Sequence, residues 1–378
     1  MKLFNFDHGF SQPITLKIGP FNIQISEIHC DNLKRLPKRA IRKLTHDDQW
    51  NRKMETVPRA RGEFVETAVL LDVPDSHSLL FPNPIGPTLI YDLKIFLSFL
   101  TGRRVYTEDE LEWDPRREYA DPLMLPEEIF GQANMAWKKI AEFSEKGFSD
   151  AIFCIVQASY MTDVIGKGAY LNAAFETFCT SWAKENRKTT FQDRKLQETA
   201  MQKVVSKIDN SMLNKARNLM VKFFRIEGVS NDVTDDILAR FKSSGAPSAI
   251  LKMTWFLQEL EMFPKKPTAE QEKRLRRLNT IRNSIAHSGT IRPENGLSQE
   301  VNLRISGASV LLIMDIVSFY LANNIFGFRS RMLNDTHNDI KIFFENGIFR
   351  NQEIISEDFG AYLDRVETQW VEEGKAIW

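Results

Sequence analysis

The stretch SVLLIMDIVSFYL, Ser309 to Leu321, constrains the fold of this chain more than any other feature. It falls short of the ~20 apolar residues that a helix needs to span a bilayer, and Asp315 interrupts it. A helix that is apolar all round must instead be covered all round. The sequence therefore predicts a core helix over about 305–323, with several further elements packed against it.

Helical patterning fills most of the chain from residue 126 onward. Pro126-Glu127-Glu128 opens a helix, with proline in the first turn and acids at the positive end of the dipole. Further helices are expected at 149–161, 168–185, 192–226, 232–243 and 247–262. The pattern Thr268-x-x-Gln271 reads as a capping box that starts another helix, over 268–288. Near the C-terminus Phe359, Tyr362, Leu363, Val366 and Trp370 share one helical face, which must pack on this chain or on a second copy. No internal repeat or low-complexity segment breaks the pattern.

The first third reads differently. Ile14, Leu16 and Ile18 alternate with polar residues, and Phe21, Ile23 and Ile25 do so again after Gly19-Pro20, giving two short strands around a turn. Glu66 to Val73 is a further strand, and Tyr91 to Leu100 a helix stopped by Gly102. Asp114-Pro115 and Asp121-Pro122 have the character of a linker. The expected fold class is mainly α: a C-terminal α-helical domain, 126–378 with its core at about 149–325, preceded by a smaller mixed α/β N-terminal domain, 1–125.

Lys+Arg and Asp+Glu both number 50, so attraction to nucleic acid must come from a local patch. Charge is indeed blocked. Asp31 to Arg61 holds ten Lys/Arg against four Asp/Glu, and Glu108 to Glu128 holds nine acids against two arginines. Lys34, Arg35, Lys38, Arg39, Arg42 and Lys43 in the basic block are candidates for binding RNA phosphates; a solvated surface is the plain alternative. The three cysteines, Cys30, Cys154 and Cys179, lack both CxxC spacing and nearby histidines, which argues against a disulfide framework or zinc site. MKLFNFDHGF lacks the apolar core of a signal peptide, so a cytoplasmic protein without membrane partners is expected. Gly166-Lys167-Gly168 lacks the spacing of a phosphate loop. Asp335, His337 and Asp339, read as a polar loop, do not make a convincing metal site, and no metal or cofactor is expected.

The helix over 268–288 carries the one constellation that speaks of chemistry. At about 100° per residue, Leu275, Leu278, Ile281 and Ile285 form an apolar stripe with Arg282 at its edge. Asn283 and His287, four apart, stack on a face that points away from that stripe. Ser288-Gly289 supply the stop. An imidazole can move protons near neutral pH, and a guanidinium can bind phosphate and offset developing charge. Those are the needs of RNA transesterification, in which the 2′-hydroxyl attacks its own phosphodiester without a metal or external nucleophile. Asn283 can orient the imidazole or bond a phosphate oxygen. Arg followed by four to six residues and His also occurs at Arg39/His46 and Arg331/His337. Only Arg282/His287 adds an adjacent asparagine, an amphipathic helix and a glycine stop.

With "RNSIAH" in that setting, the segment resembles the HEPN superfamily, whose mark is Arg-x(4–6)-His, often with Asn after the Arg. A mixed region ahead of such a bundle looks like the ApeA-type proteins of bacterial anti-phage defence. The resemblance implies a metal-independent endoribonuclease acting in abortive infection or a toxin-like role. It also implies a homodimer whose two motifs line one composite cleft, and an N-terminal domain that senses a phage-derived or nucleotide trigger. Carried over by position, Arg282 and His287 match the motif and Asn283 its polar neighbour. Glu176, in AYLNAAFETFCTSW, resembles an acidic residue on an early helix of these bundles. A non-catalytic module that binds RNA or nucleotide, or that only dimerises, stays open beside the enzyme.

Overall fold

The computed structural model describes residues 1–36, 43–46, 52–55, 64–83, 85–111, 126–161, 164–186, 215, 218–219, 221–222, 248–288, 299–349 and 352–353. These are mostly helical, with a small antiparallel sheet. Main-chain contacts divide the chain into two compact units: Met1–Thr177 with Lys266–Trp378, and Phe178–Lys265. The boundary expected near residue 125, the helices expected at 192–226 and 232–243, and the C-terminal apolar face fall outside the described residues, apart from isolated positions within the first of these helices.

The first unit opens with β1 (Lys2–Phe4), β2 (Ile14–Ile18), β3 (Phe21–Ile25) and the short helix α1 (Glu27–Leu33). The strands β4 (Lys43–His46) and β5 (Arg52–Glu55) pair with each other in a two-stranded sheet. β6 (Glu66–Leu70) follows, then helix α2 (Leu89–Thr101) and β7 (Tyr106–Thr107). The five-stranded sheet has the order β2-β3-β6-β1-β7 and is antiparallel throughout. Period-two burial fixes its register: Ile18 pairs with Phe21 and Leu16 with Ile23, and all four are buried. The strand expected over 66–73 stops at Leu70, because Leu71 and Val73 are exposed. Gly102 ends α2 in the left-handed conformation, φ 60°, as expected of a glycine stop.

The helices of this unit continue with α3 (Pro126–Trp137), α4 (Phe143–Lys146), α5 (Phe148–Tyr160) and α6 (Val164–Glu185), within which the division between units falls. The turn between β2 and β3 docks on α3. Gly19 donates its N–H to Asn134 Oδ1 at 2.9 Å, and a Cβ at Gly19 would lie 2.2 Å from the Trp137 indole. Trp137 meets Phe21 of the sheet edge-on at 5.6 Å and Phe96 of α2 at 5.5 Å, so one ring joins sheet and helices.

The second unit is described by the C-terminal end of α6 and by α7 (Ala249–Glu259). Trp182 packs edge-on against Phe256 at 6.2 Å, beside buried Met253, Leu257 and Phe263.

Back in the first unit come α8 (Ala269–Ser288), α9 (Gln299–Phe319) and α10 (Arg331–Asn346), then the two-residue strands β8 (Ile348–Phe349) and β9 (Gln352–Glu353). The apolar run lies on α9, whose last turns widen to π geometry over Tyr320–Phe326. One helical run among the described residues, Ser306–Phe326, is long and apolar enough to cross a membrane, and most of it is buried inside the protein. Its end carries Phe326, which touches Phe96, Phe99, Phe143 and Phe328 at ring distances of 5.1–5.8 Å. That cluster is where α2, α4 and the π segment meet.

The segment around Asp335, His337 and Asp339 is a correction to the sequence reading. It is helix α10, not a loop: Ser330 caps it by accepting the Leu333 N–H, and Leu333, Ile340, Phe343 and Phe344 face the core. The polar residues that suggested a loop are its solvated side, and His337 stacks on Phe319 at 5.1 Å. No group of three or more metal-ligating side chains occurs among the described residues.

Candidate functional site

Helix α8 starts as its capping box predicts. The Thr268 N–H donates to Gln271 Oε1 at 2.8 Å, and the Gln271 N–H donates to Thr268 Oγ1 at 3.3 Å. Leu275, Leu278, Ile281 and Ile285 are all buried, so the apolar stripe faces the core as the helical arithmetic requires. Arg274 anchors the helix to α10 by donating from Nη1 to the carbonyls of Phe344 and Glu345, 2.9 Å each. Those carbonyls lie in the last turn of α10, where a helix leaves carbonyls without intrahelical donors, so the arginine caps α10.

Helix α6 meets α8 along a single seam with a four-residue repeat, Gly168, Asn172 and Glu176. At Gly168 a Cβ would stand 2.8 Å from Ile285 Cδ1 and 3.1 Å from Val310 Cγ2, so the absent side chain sets how closely the helices approach. One turn on, Asn172 is buried and its Nδ2 donates to the main-chain carbonyl of Arg282 at 3.1 Å. A further turn on, Glu176 accepts a charge-assisted hydrogen bond from Arg282 Nη2. Gly166-Lys167-Gly168 thus belongs to a helix, in which Gly168 serves packing.

Arg282 is only 8% exposed, deeper than a stripe-edge residue was expected to lie. Its guanidinium turns toward α6. Nη1 also donates to Asn279 Oδ1, at a long 3.4 Å. Among the described residues, Arg282 Nε and Asn172 Oδ1 have no hydrogen-bond partner although both are buried. Asn283, about 100° further round α8, is half-buried. The helix runs through Ser288, but the His287 side chain and Gly289 lie outside the described residues.

The structure therefore brings Arg282 and Glu176 together and adds Asn172. Sequence reasoning missed Asn172. Its signal was the i, i+4 spacing to Glu176 on α6, which places both on one face. The basic block lies elsewhere in the first unit: Lys34 ends α1 and pairs with Asp31 at 2.7 Å, both well exposed, and Arg35 follows it. Lys38, Arg39 and Arg42, and the side chain of Lys43 on β4, fall outside the described residues. Of the rival Arg/His pairs, Arg331/His337 is on α10 and Arg39 is not described. Cys30 and Cys179 are buried and Cys154 half-buried, and none of the three is in a disulfide. Comparison with protein-family models, with curated proteins and with solved structures finds no match to this chain.

Proposed function

We propose that this chain is a metal-independent endoribonuclease of the HEPN type, built as a helical bundle with a mixed N-terminal domain and working as a homodimer with a composite site. The observation that carries the reading is the double hold of α6 on Arg282, through its carbonyl by Asn172 and through its guanidinium by Glu176. A surface arginine used only for solubility needs no such hold. In the proposed reaction the 2′-oxygen attacks the adjacent phosphorus and the 5′-oxygen leaves. His287 transfers the proton, Arg282 offers its remaining donors to the phosphoryl oxygens, and Asn283 orients the imidazole or the phosphate. Glu176 positions Arg282 and yields when phosphate arrives. The resemblance assigns this activity to cytoplasmic anti-phage defence or a toxin-like role, with the N-terminal domain answering a phage-derived or nucleotide trigger.

The same ion pair favours a second reading. A guanidinium already neutralised by a carboxylate suits a module that binds RNA without cutting it. Purified protein incubated with total RNA, with and without EDTA, beside His287→Ala, separates the two. Cleavage that survives EDTA and disappears in the variant supports the enzyme. Binding with no cleavage in either protein refutes it and supports the module.

A further inference from the structure

The outward face of α8 carries a second pattern, on the side that the core does not use. Lys273, Arg276, Thr280 and Asn283 fall within one arc of roughly 80° around the helix axis, opposite Leu275, Leu278 and Ile285. The first three are exposed and Asn283 is half-buried. Charge on the helix is sorted as well. Its acids, Glu270 and Glu272, sit in the first turn, where the helix dipole favours them. Beyond Glu272 the helix carries Lys273, Arg274, Arg276, Arg277 and Arg282 and no acid.

Four of these cations divide by direction. Arg274 turns inward to cap α10, and Arg282 turns inward to Glu176. Lys273 and Arg276 remain on the outward arc. Arg276 approaches Glu272 only to 3.8 Å, with both side chains more than half exposed, a contact that contributes little in water. Thr280 donates its hydroxyl to the Arg276 carbonyl at 2.9 Å, which leaves its oxygen able to accept from a ribose hydroxyl.

We infer that this arc is a binding track for the backbone of single-stranded RNA, running along α8 from Lys273 and Arg276 past Thr280 to Asn283. The inference rests on the RNA-cleaving reading of the site. From Lys273 to Asn283 the helix rises ~15 Å, enough for a short run of phosphates to lie beside it before the chain reaches the motif. A single strand fits because transesterification needs the 2′-oxygen in line with the departing 5′-oxygen, a geometry that a stacked duplex holds off. Each neutralised phosphate releases counterions and steepens the salt dependence of binding.

The test uses the full chain with His287→Ala, chosen to leave the RNA uncut, and a fluorescent single-stranded RNA titrated at several salt concentrations. Lys273→Gln with Arg276→Gln removes two cations from exposed positions and leaves the core untouched. At ~0.7 per phosphate, the slope of log affinity against log salt becomes shallower by about 1.4, and affinity at 0.1 M salt falls about 25-fold. An unchanged slope and affinity in the double variant overturns the track while leaving the proposed function standing. A parent protein that neither binds nor cuts RNA overturns both.

Discussion

Replacing Glu176 with glutamine tests whether α6 holds Arg282 by charge. The substitution keeps the shape and a hydrogen-bonding oxygen but strips the counter-charge from a guanidinium whose side chain is 10% exposed, while Glu176 itself is 48% exposed. Breaking a buried pair costs about 3–5 kcal/mol and an exposed pair contributes about 0–1 kcal/mol, so this half-exposed pair belongs at about 1–2 kcal/mol. That cost is local to the α6–α8 seam. It is read best by amide hydrogen exchange of α8 residues 275–285, where about 1–2 kcal/mol appears as roughly 5–30-fold faster exchange. The control is the same change in an Arg282→Met background, where no charge remains to compensate and Glu176→Gln should add nothing. Equal acceleration in both backgrounds, or none in either, would refute the claim that Glu176 acts through Arg282.

Three further outcomes follow from other parts of the molecule. Gly19→Ala puts a Cβ on a residue at φ +55° and into the Trp137 indole, and should destabilise by about 2–5 kcal/mol, seen as a lowered melting temperature of the first unit. Thr268→Ala removes half of the capping box and should cost about 1 kcal/mol, with faster exchange confined to the first turn of α8. His8 is fully buried between Phe6 and Phe10, and burial lowers its pKa from 6.5 to about 4, against a smaller upward pull from Asp7. Above pH 6.5 neither state holds the proton. As pH falls from 6.5 toward 4 the unfolded chain gains it first, so up to roughly 3 kcal/mol of stability is lost across that window. Denaturant midpoints measured against pH should fall through that range in the wild type and flatten in His8→Gln.

The elements legible in the sequence were those with one dominant physical signal. Period-two alternation around Gly19-Pro20 marked β2 and β3, Gly102 marked the end of α2, and Thr268-x-x-Gln271 marked the start of α8. The run at Ser309–Leu321 marked a largely buried helix, though not the π turns that carry Phe326 into the aromatic cluster, since nothing local distinguishes the two ladders. The polar loop expected around Asp335, His337 and Asp339 failed because Asn334, Asp335, Thr336, Asn338 and Asp339 are poor helix formers, and packing of Leu333, Ile340 and Phe343 overrode them.

At the candidate site, helix geometry separated Arg282 from Asn283. It could not say that Arg282 would be buried, because that depends on Glu176 and Asn172, more than a hundred residues earlier. Nor does the sequence alone mark Gly168 as the point of close approach. Its neighbours there, Ile285 and Val310, come from two other helices.

The ends of the cut RNA report the proposed cleavage chemistry directly. RNA incubated with the wild-type protein in EDTA should yield fragments with 2′,3′-cyclic phosphates and 5′-hydroxyls, and none with His287→Ala. Fragments bearing 5′-phosphates, products that persist in the variant, or RNA left intact by the wild type would contradict it.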